Sequence, residues 1–181
     1  METDHLVFRG DFRLRIPLKE IKSIAASDGV LRVKFPGGDA RFHLGPKADK
    51  WANSIRSPKS LLDKLGVKQG MTVGVVGLKD DGFVDELRSQ GATVSVGRLR
   101  KDSDMIFVAA DDRDDLRRLA RMEPYIKRNG AVWVVSPKGK SEIRDVVVIE
   151  AGVAAGLVDT KVVRFSDALT ALKFVIPVAR R

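Results

Sequence analysis

The residues of this sequence that could do chemistry are few, and two short loops hold most of them. Ser136-Pro137-Lys138-Gly139-Lys140-Ser141 follows the apolar run GAVWVV and leads into a helical stretch. Free backbone N–H groups at such a turn, beside Lys138 and Lys140, have the chemistry of an anion site. Gly139-Lys140-Ser141 copies the end of a phosphate loop, but the glycine needed five residues earlier is Val134, inside the strand, so an ATPase is excluded. The competing role for Ser141 is a plain helix N-cap, with both lysines in solvent. The second loop, Gly77-Leu78-Lys79-Asp80-Asp81-Gly82, follows MTVGVV. Gly77 and Gly82 would let backbone approach a ligand, and Lys79 and Asp80 are the polar groups beside them. An aspartate capping the helix that begins near Gly82 is the competing reading there. Gly77, Lys79, Asp80, Gly82, Lys138, Gly139, Lys140 and Ser141 are therefore the candidate ligand residues, and the ligand they suit is a small molecule or an anion.

Other chemistries find less support. Asp111, Asp112, Asp114 and Asp115 are carboxylates of the kind that hold a divalent metal, but a helix start also favours them, by about 0.3–1 kcal/mol each. His5 and His43 are the two histidines, neither with a Glu or His at metal spacing. No Gly-x-Ser-x-Gly elbow occurs and there is no cysteine, so neither a serine nucleophile of that type nor a thiol or zinc site is available. No catalytic set emerges, no metal is expected, and the reading leans away from an enzyme.

The elements that must position these loops divide at Ser57-Pro58, because proline cannot continue a helical hydrogen-bond ladder. Residues 1–57 alternate like a small antiparallel sheet, with strands expected at Leu6–Arg9, Phe12–Pro17, Leu31–Phe35 and Ala40–Leu44. Asp28-Gly29 and Gly37-Gly38-Asp39 are hairpin signals, Ile21 and Ile24 fall in an unassigned segment, and a helix over Pro46–Ile55 covers the sheet with Ala48, Trp51 and Ile55. Residues 58–181 alternate strands and helices. Strands are expected at Met71–Val76, Ala92–Val96, Met105–Ala109 and Ala131–Val135, with helices at Phe83–Gln90, Asp111–Asn129 and Ser141–Leu157. Thr160–Phe165 and Ala171–Val178 are too close for a crossover helix and should pair antiparallel. The fold class is thus α/β, a Rossmann-like, mostly parallel sheet with an antiparallel C-terminal hairpin, preceded by a small antiparallel β module with one helix.

The charge is +9, with 13 basic against 8 acidic residues up to Leu65 and 20 against 16 beyond it. So even a spread, with 6% aromatic residues, argues against a dedicated nucleic-acid binder. The longest apolar stretch, Val146–Val158, is interrupted by Glu150, so no membrane span is expected. The start METDHLVFRGDF lacks the pattern of a signal peptide, and a cytoplasmic location is expected.

Strands closed by an amphipathic helix carrying Trp51 resemble a reduced pleckstrin-homology or GRAM-type module over about fifty residues. From KLGVKQGMTV through GAVWVVSPKG to AGLVDTKVVRFSDALTALKFVIP, residues 60–181 resemble the class I methyltransferase fold, and more closely a bacterial domain family of unknown function built on it. Modules of the first kind often bind lipids or peptides; what the resemblance implies here is the shape and not the ligand, a tryptophan at that spacing belonging to the core. The second implies adenosylmethionine, held by an acidic residue and a glycine triplet after the first strand and by an acid ending the second. Here the first site reads Gly74-Val75-Val76-Gly77-Leu78-Lys79, and the second strand ends in Gly97-Arg98-Leu99. Both departures point away from that cofactor. The leading expectation is a non-catalytic binding protein for a small molecule or anion with no cofactor. The alternatives are an adenosylmethionine-dependent methyltransferase with a divergent loop, and an adaptor docking a protein or membrane surface.

Overall fold

A computed structural model describes residues 5–9 and 12–181; the leader reading of residues 1–4 lies outside them. The chain forms two compact units, Met1–Ser60 and Leu61–Arg181. In the first, β1 (His5–Arg9) pairs with β2 (Arg13–Pro17), and β3 (Ser23–Ser27), β4 (Val30–Phe35) and β5 (Gly38–His43) make a separate antiparallel sheet. β3 is the segment that sequence left unassigned. Its residues SIAAS are weak strand formers, and pairing with β4 from Ser23–Lys34 to Ser27–Val30 supplies the order they lack. Helix α1 (Ala48–Arg56) buries Ala48, Ala52 and Ile55 with Leu31 and Val33.

The second unit opens with a short helix, α2 (Leu61–Leu65), and carries a six-stranded sheet. In chain order its elements are β6 (Thr72–Val76), α3 (Asp81–Ser89), β7 (Thr93–Val96), β8 (Ser103–Ala109), α4 (Arg113–Leu116), β9 (Ile126–Pro137), α5 (Asp145–Ala154), β10 (Val158–Arg164) and β11 (Leu169–Val175). The strand order is β10-β11-β9-β8-β6-β7, with β7, β6, β8 and β9 parallel and the β10–β11 hairpin antiparallel to them. The α/β class and the antiparallel terminal hairpin are as the sequence indicates. Both faces of the sheet are covered, which is why its strands read as continuous apolar runs. Val73, Val75, Phe107, Trp133 and Ala171 point to one face with Phe83 and Leu87 of α3. Ile106, Val108, Val132, Val134 and Phe174 point to the other, with Leu119 and Val148.

Three expected helices differ. The segment expected over Asp111–Asn129 is α4 followed by 3₁₀ turns at Arg117–Arg121 and Glu123–Tyr125, and residues 126–130 already belong to β9. Pro124 disfavours the helical region for Glu123 and supplies no amide, so the turn tightens and the chain leaves it extended. The stretch expected to begin at Ser141 is a 3₁₀ turn, Ser141–Ile143, then an extended Arg144 (ψ 157°), and α5 starts at Asp145. Helix α3 starts at Asp81, so Gly82 lies inside it. Among the described residues no helix is long and apolar enough to cross a membrane.

One carboxylate ties together the amino ends of the central strands. Asp104 Oδ2 accepts from Thr72 N of β6 at 2.8 Å, and Oδ1 pairs with Lys127 Nζ of β9 at 2.7 Å. Burial pushes this carboxyl up, but the Lys127 ammonium and the Thr72 amide together outweigh it and hold the group below the ordinary carboxylate range. A depressed pKa stabilises the fold above the unfolded value of about 3.9, and that stabilisation is lost as pH falls through the folded pKa. Asp104→Asn should therefore cost about 1.5–3 kcal/mol near neutral pH. In urea titrations across pH, the gap from wild type should close on the acid side; a gap that persists there would show that the charge is not what Asp104 contributes.

Candidate functional site

In an open α/β sheet the ligand crevice lies beyond the carboxyl ends of the strands, where successive connections leave in opposite directions. Here that point is between β6, whose chain runs through α3 to β7, and β8, whose chain runs on to β9. Gly77 stands at the end of β6 with a left-handed φ of +74°, a region that favours glycine. A Cβ built there would lie 3.1 Å from Arg118 Nη1 and 3.6 Å from Ala109 Cβ. Arg118 Nη2 pairs with Asp115 Oδ1 at 2.8 Å, and Asp115 Oδ2 accepts from Asp111 N at 2.9 Å. Lys140 Nζ in turn donates to Asp111 O at 2.6 Å. The loops after β6, β8 and β9 thus converge on one guanidinium–carboxylate pair, of which Arg118 is 47% exposed and Asp115 21%.

The sequence-derived residues are placed as follows. Asp80 is the N-cap of α3, its Oδ1 accepting from Phe83 N at 2.9 Å. Lys79 and Gly82 are exposed beside it. Lys138 Nζ donates to Ser166 O and Asp167 O in the β10–β11 turn, whereas Lys140 reaches Asp111, so the two lysines leave their loop toward different neighbours. Ser141 is exposed and makes no side-chain cap bond; the turn it opens is preceded by an extended Lys140. No hydrogen bond among the described residues joins the Gly77–Gly82 loop to the Lys138–Ser141 loop. The aspartates of 111–115 act as caps: Asp112 Oδ1 accepts from Asp114 N at 2.9 Å and from Asp115 N at 3.0 Å. Among the described residues no group of His, Cys, Asp and Glu could hold a metal ion.

Sequence reasoning missed Arg118 and the basic cleft beside it. Residues 97–102 link β7 to β8 without a helix, and Leu99 lies against β6, 3.7 Å from a Cβ built on Gly74. Around this link Ser95, Val96, Arg98, Leu99, Arg100 and Lys101 line a cleft of about 620 Å³. Gly97 N donates to Val75 O at 2.8 Å, which brings the start of this link to the end of β6.

No family model matches this chain, and no curated protein does. Among solved structures it is similar to a SAM-dependent methyltransferase from Aquifex aeolicus, at 18% identity and a TM-score of 0.53, over 67% of this chain and 90% of that one. It is also similar to a candidate type 11 methyltransferase from Sulfolobus solfataricus, at 12% identity and a TM-score of 0.50, over 65% of this chain and 90% of that one. These likenesses define the fold: the chain carries a class I methyltransferase-like, Rossmann-like sheet. The donor set for adenosylmethionine is not complete on it. Arg118 could hold the cofactor's carboxylate, but the end of β7 offers Gly97-Arg98 where an acid for the ribose would stand.

The two glycines of the first loop should respond in opposite senses. Gly77→Ala forces a side chain into left-handed backbone, at about 1–2 kcal/mol, and presses on Arg118. Gly82→Ala meets ordinary contact, 3.5 Å from Asp80 Oδ1, and gains about 0.5–1 kcal/mol of helix stability. Denaturant melts of the two variants check this, and a stabilised Gly77→Ala would contradict the placement of Arg118.

Proposed function

We propose that the Leu61–Arg181 unit is a small-molecule-binding protein whose ligand presents an anionic group, phosphate or carboxylate, to Arg118 in the crevice beyond β6 and β8. The observation that carries this reading is the guanidinium set against the open face of Gly77 and oriented by Asp115. A planar guanidinium fixed by one carboxylate keeps N–H donors for a second oxyanion, and its fork geometry suits such ligands better than a lysine does. Arg98, Arg100 and Lys101 in the adjoining cleft would raise the local concentration of anions without fixing their orientation. Gly77, Lys79, Asp80 and Gly82 then shape the wall of the crevice, while Lys140 braces it through the Asp111 carbonyl.

The second reading is an adenosylmethionine-dependent methyltransferase, and the fold of its structural neighbours favours it. On that reading Arg118 would hold the methionine carboxylate, and the bound cofactor would supply an activated methyl group. Calorimetry with inorganic phosphate, adenosine monophosphate and adenosylmethionine separates the two. Binding of the phosphate compounds, weakened about tenfold or more by Arg118→Gln, is the expected result, since a hydrogen bond to a charged group contributes about 1.5–3 kcal/mol. Adenosylmethionine binding without phosphate binding would establish the second reading. Binding of none of the three, or binding indifferent to Arg118→Gln, would overturn the assignment of this crevice.

A further inference from the structure

We infer that the sheet carries a second oxyanion site, separate from the crevice, where Lys173 of β11 lies beside Trp133 of β9 with Lys161 of β10 next to it. Along β11 the residues that share a face with buried Ala171 should be apolar, yet Lys173 takes that place, half-buried and opposite Trp133 in the strand register. Its Nζ stands 6.0 Å from the centre of the Trp133 ring. Among the described residues Lys173 has no carboxylate partner; its charged neighbours are Lys161, its register partner on β10, and Arg181. Burial, and then the charges of Lys161 and Arg181, push its ammonium below the ordinary lysine range.

Beneath it Trp133 is fully buried, stacked on Phe107 with ring planes 9° apart, and its indole Nε1 has no hydrogen-bond acceptor. A buried donor without a partner is costly, and native structures leave few of them. The indole N–H without an acceptor and the half-buried ammonium without a carboxylate beside it are both donors, so what the place lacks is an acceptor that carries negative charge. A phosphate or a carboxylate meets that description. A metal ion or an ammonium does not. The approach is open along β10, whose residues 158–162 are exposed, and Lys161 spends one hydrogen bond on Lys64 O, at 2.6 Å, that an anion could replace.

The test is a titration of the full chain with inorganic phosphate, and in parallel with acetate, followed by NMR at the indole N–H of Trp133. A saturating shift of that signal is expected with one of the two anions, about tenfold or more weaker in Lys173→Met and restored in Lys173→Arg. The shift should be unaffected by Arg118→Gln, which separates this site from the crevice. A signal that does not move with either anion, or moves equally in Lys173→Met, overturns the proposal. Should Lys173→Met fail to fold, Lys161→Ala decides: its exposed side chain can be lost without harm to the sheet, and an unchanged affinity there equally overturns it.

Discussion

The shortness of the link between β7 and β8 is the constraint on which the arrangement of the second unit depends. Val96 stands opposite Val75, and β8 begins at Ser103, ahead of the Met105 that stands opposite Val73. Residues 97–102 must therefore return about 13 Å along the strands and about 10 Å sideways, given roughly 3.3 Å per residue and 4.8 Å per strand, and must also climb over β6. A helix of that length would span only about 9 Å. The link consequently has no helix, Leu99 of the link packs against β6, and β7 is left at the sheet edge with no strand outside it among the described residues. The usual doubly wound sheet places a further strand beyond that edge and a helix on that face. Their place is taken here by a cleft with Arg98, Arg100 and Lys101 on its walls.

The two ends of the sheet are consequently built for different tasks. At the amino ends Asp104 spans β6, β8 and β9 through Thr72 and Lys127, with one hydrogen bond to each of its oxygens. At the carboxyl ends the Asp115–Arg118 pair also spans three loops, but Arg118 stays nearly half exposed. The terminal hairpin is fixed independently of both. Gly152 of α5 comes so close to Phe174 of β11 that a Cβ there would fall 2.1 Å from the ring, which locks the helix against the hairpin without side-chain play. Rigid backing of this kind is what allows the loops at one end to vary while the sheet does not.

What the sequence disclosed follows from how local the cause is. The strands β6, β8 and β9 were legible because burial on both faces makes each an unbroken apolar run, and the β10–β11 hairpin was legible because its link is too short for a crossover. The role of Asp80 as a cap was also readable, being three residues from the amide it accepts. By contrast, Arg118 and Gly77 meet only through the fold, and nothing in RRLAR distinguishes Arg118 from Arg117, which pairs with Asp114 in solvent. Ser141 misled for the opposite reason. Its local pattern is that of an N-cap, and the extended Arg144 overrode it by dividing the segment into a turn and a helix. The strand β3 was invisible because its order comes from β4 rather than from its own residues.

The excess positive charge, evenly spread along the sequence, is not evenly spread in space, and its two gathering places differ in kind. Arg118 already has a carboxylate partner, so an incoming oxyanion must share the guanidinium with Asp115, and only a ligand whose oxygens match the remaining N–H directions gains much by binding. Lys173 has no carboxylate partner among the described residues and is crowded by Lys161 and Arg181, so an oxyanion placed beside it would relieve it chiefly through its charge. The first arrangement selects by geometry and the second by charge. Selection by geometry depends little on ionic strength, because the donors are directed and partly shielded, whereas selection by charge at the exposed edge of β10 weakens as salt screens it over about 8–10 Å. A ligand recognised in the crevice would therefore be identified by its structure, and one recognised at β10–β11 by little more than its charge.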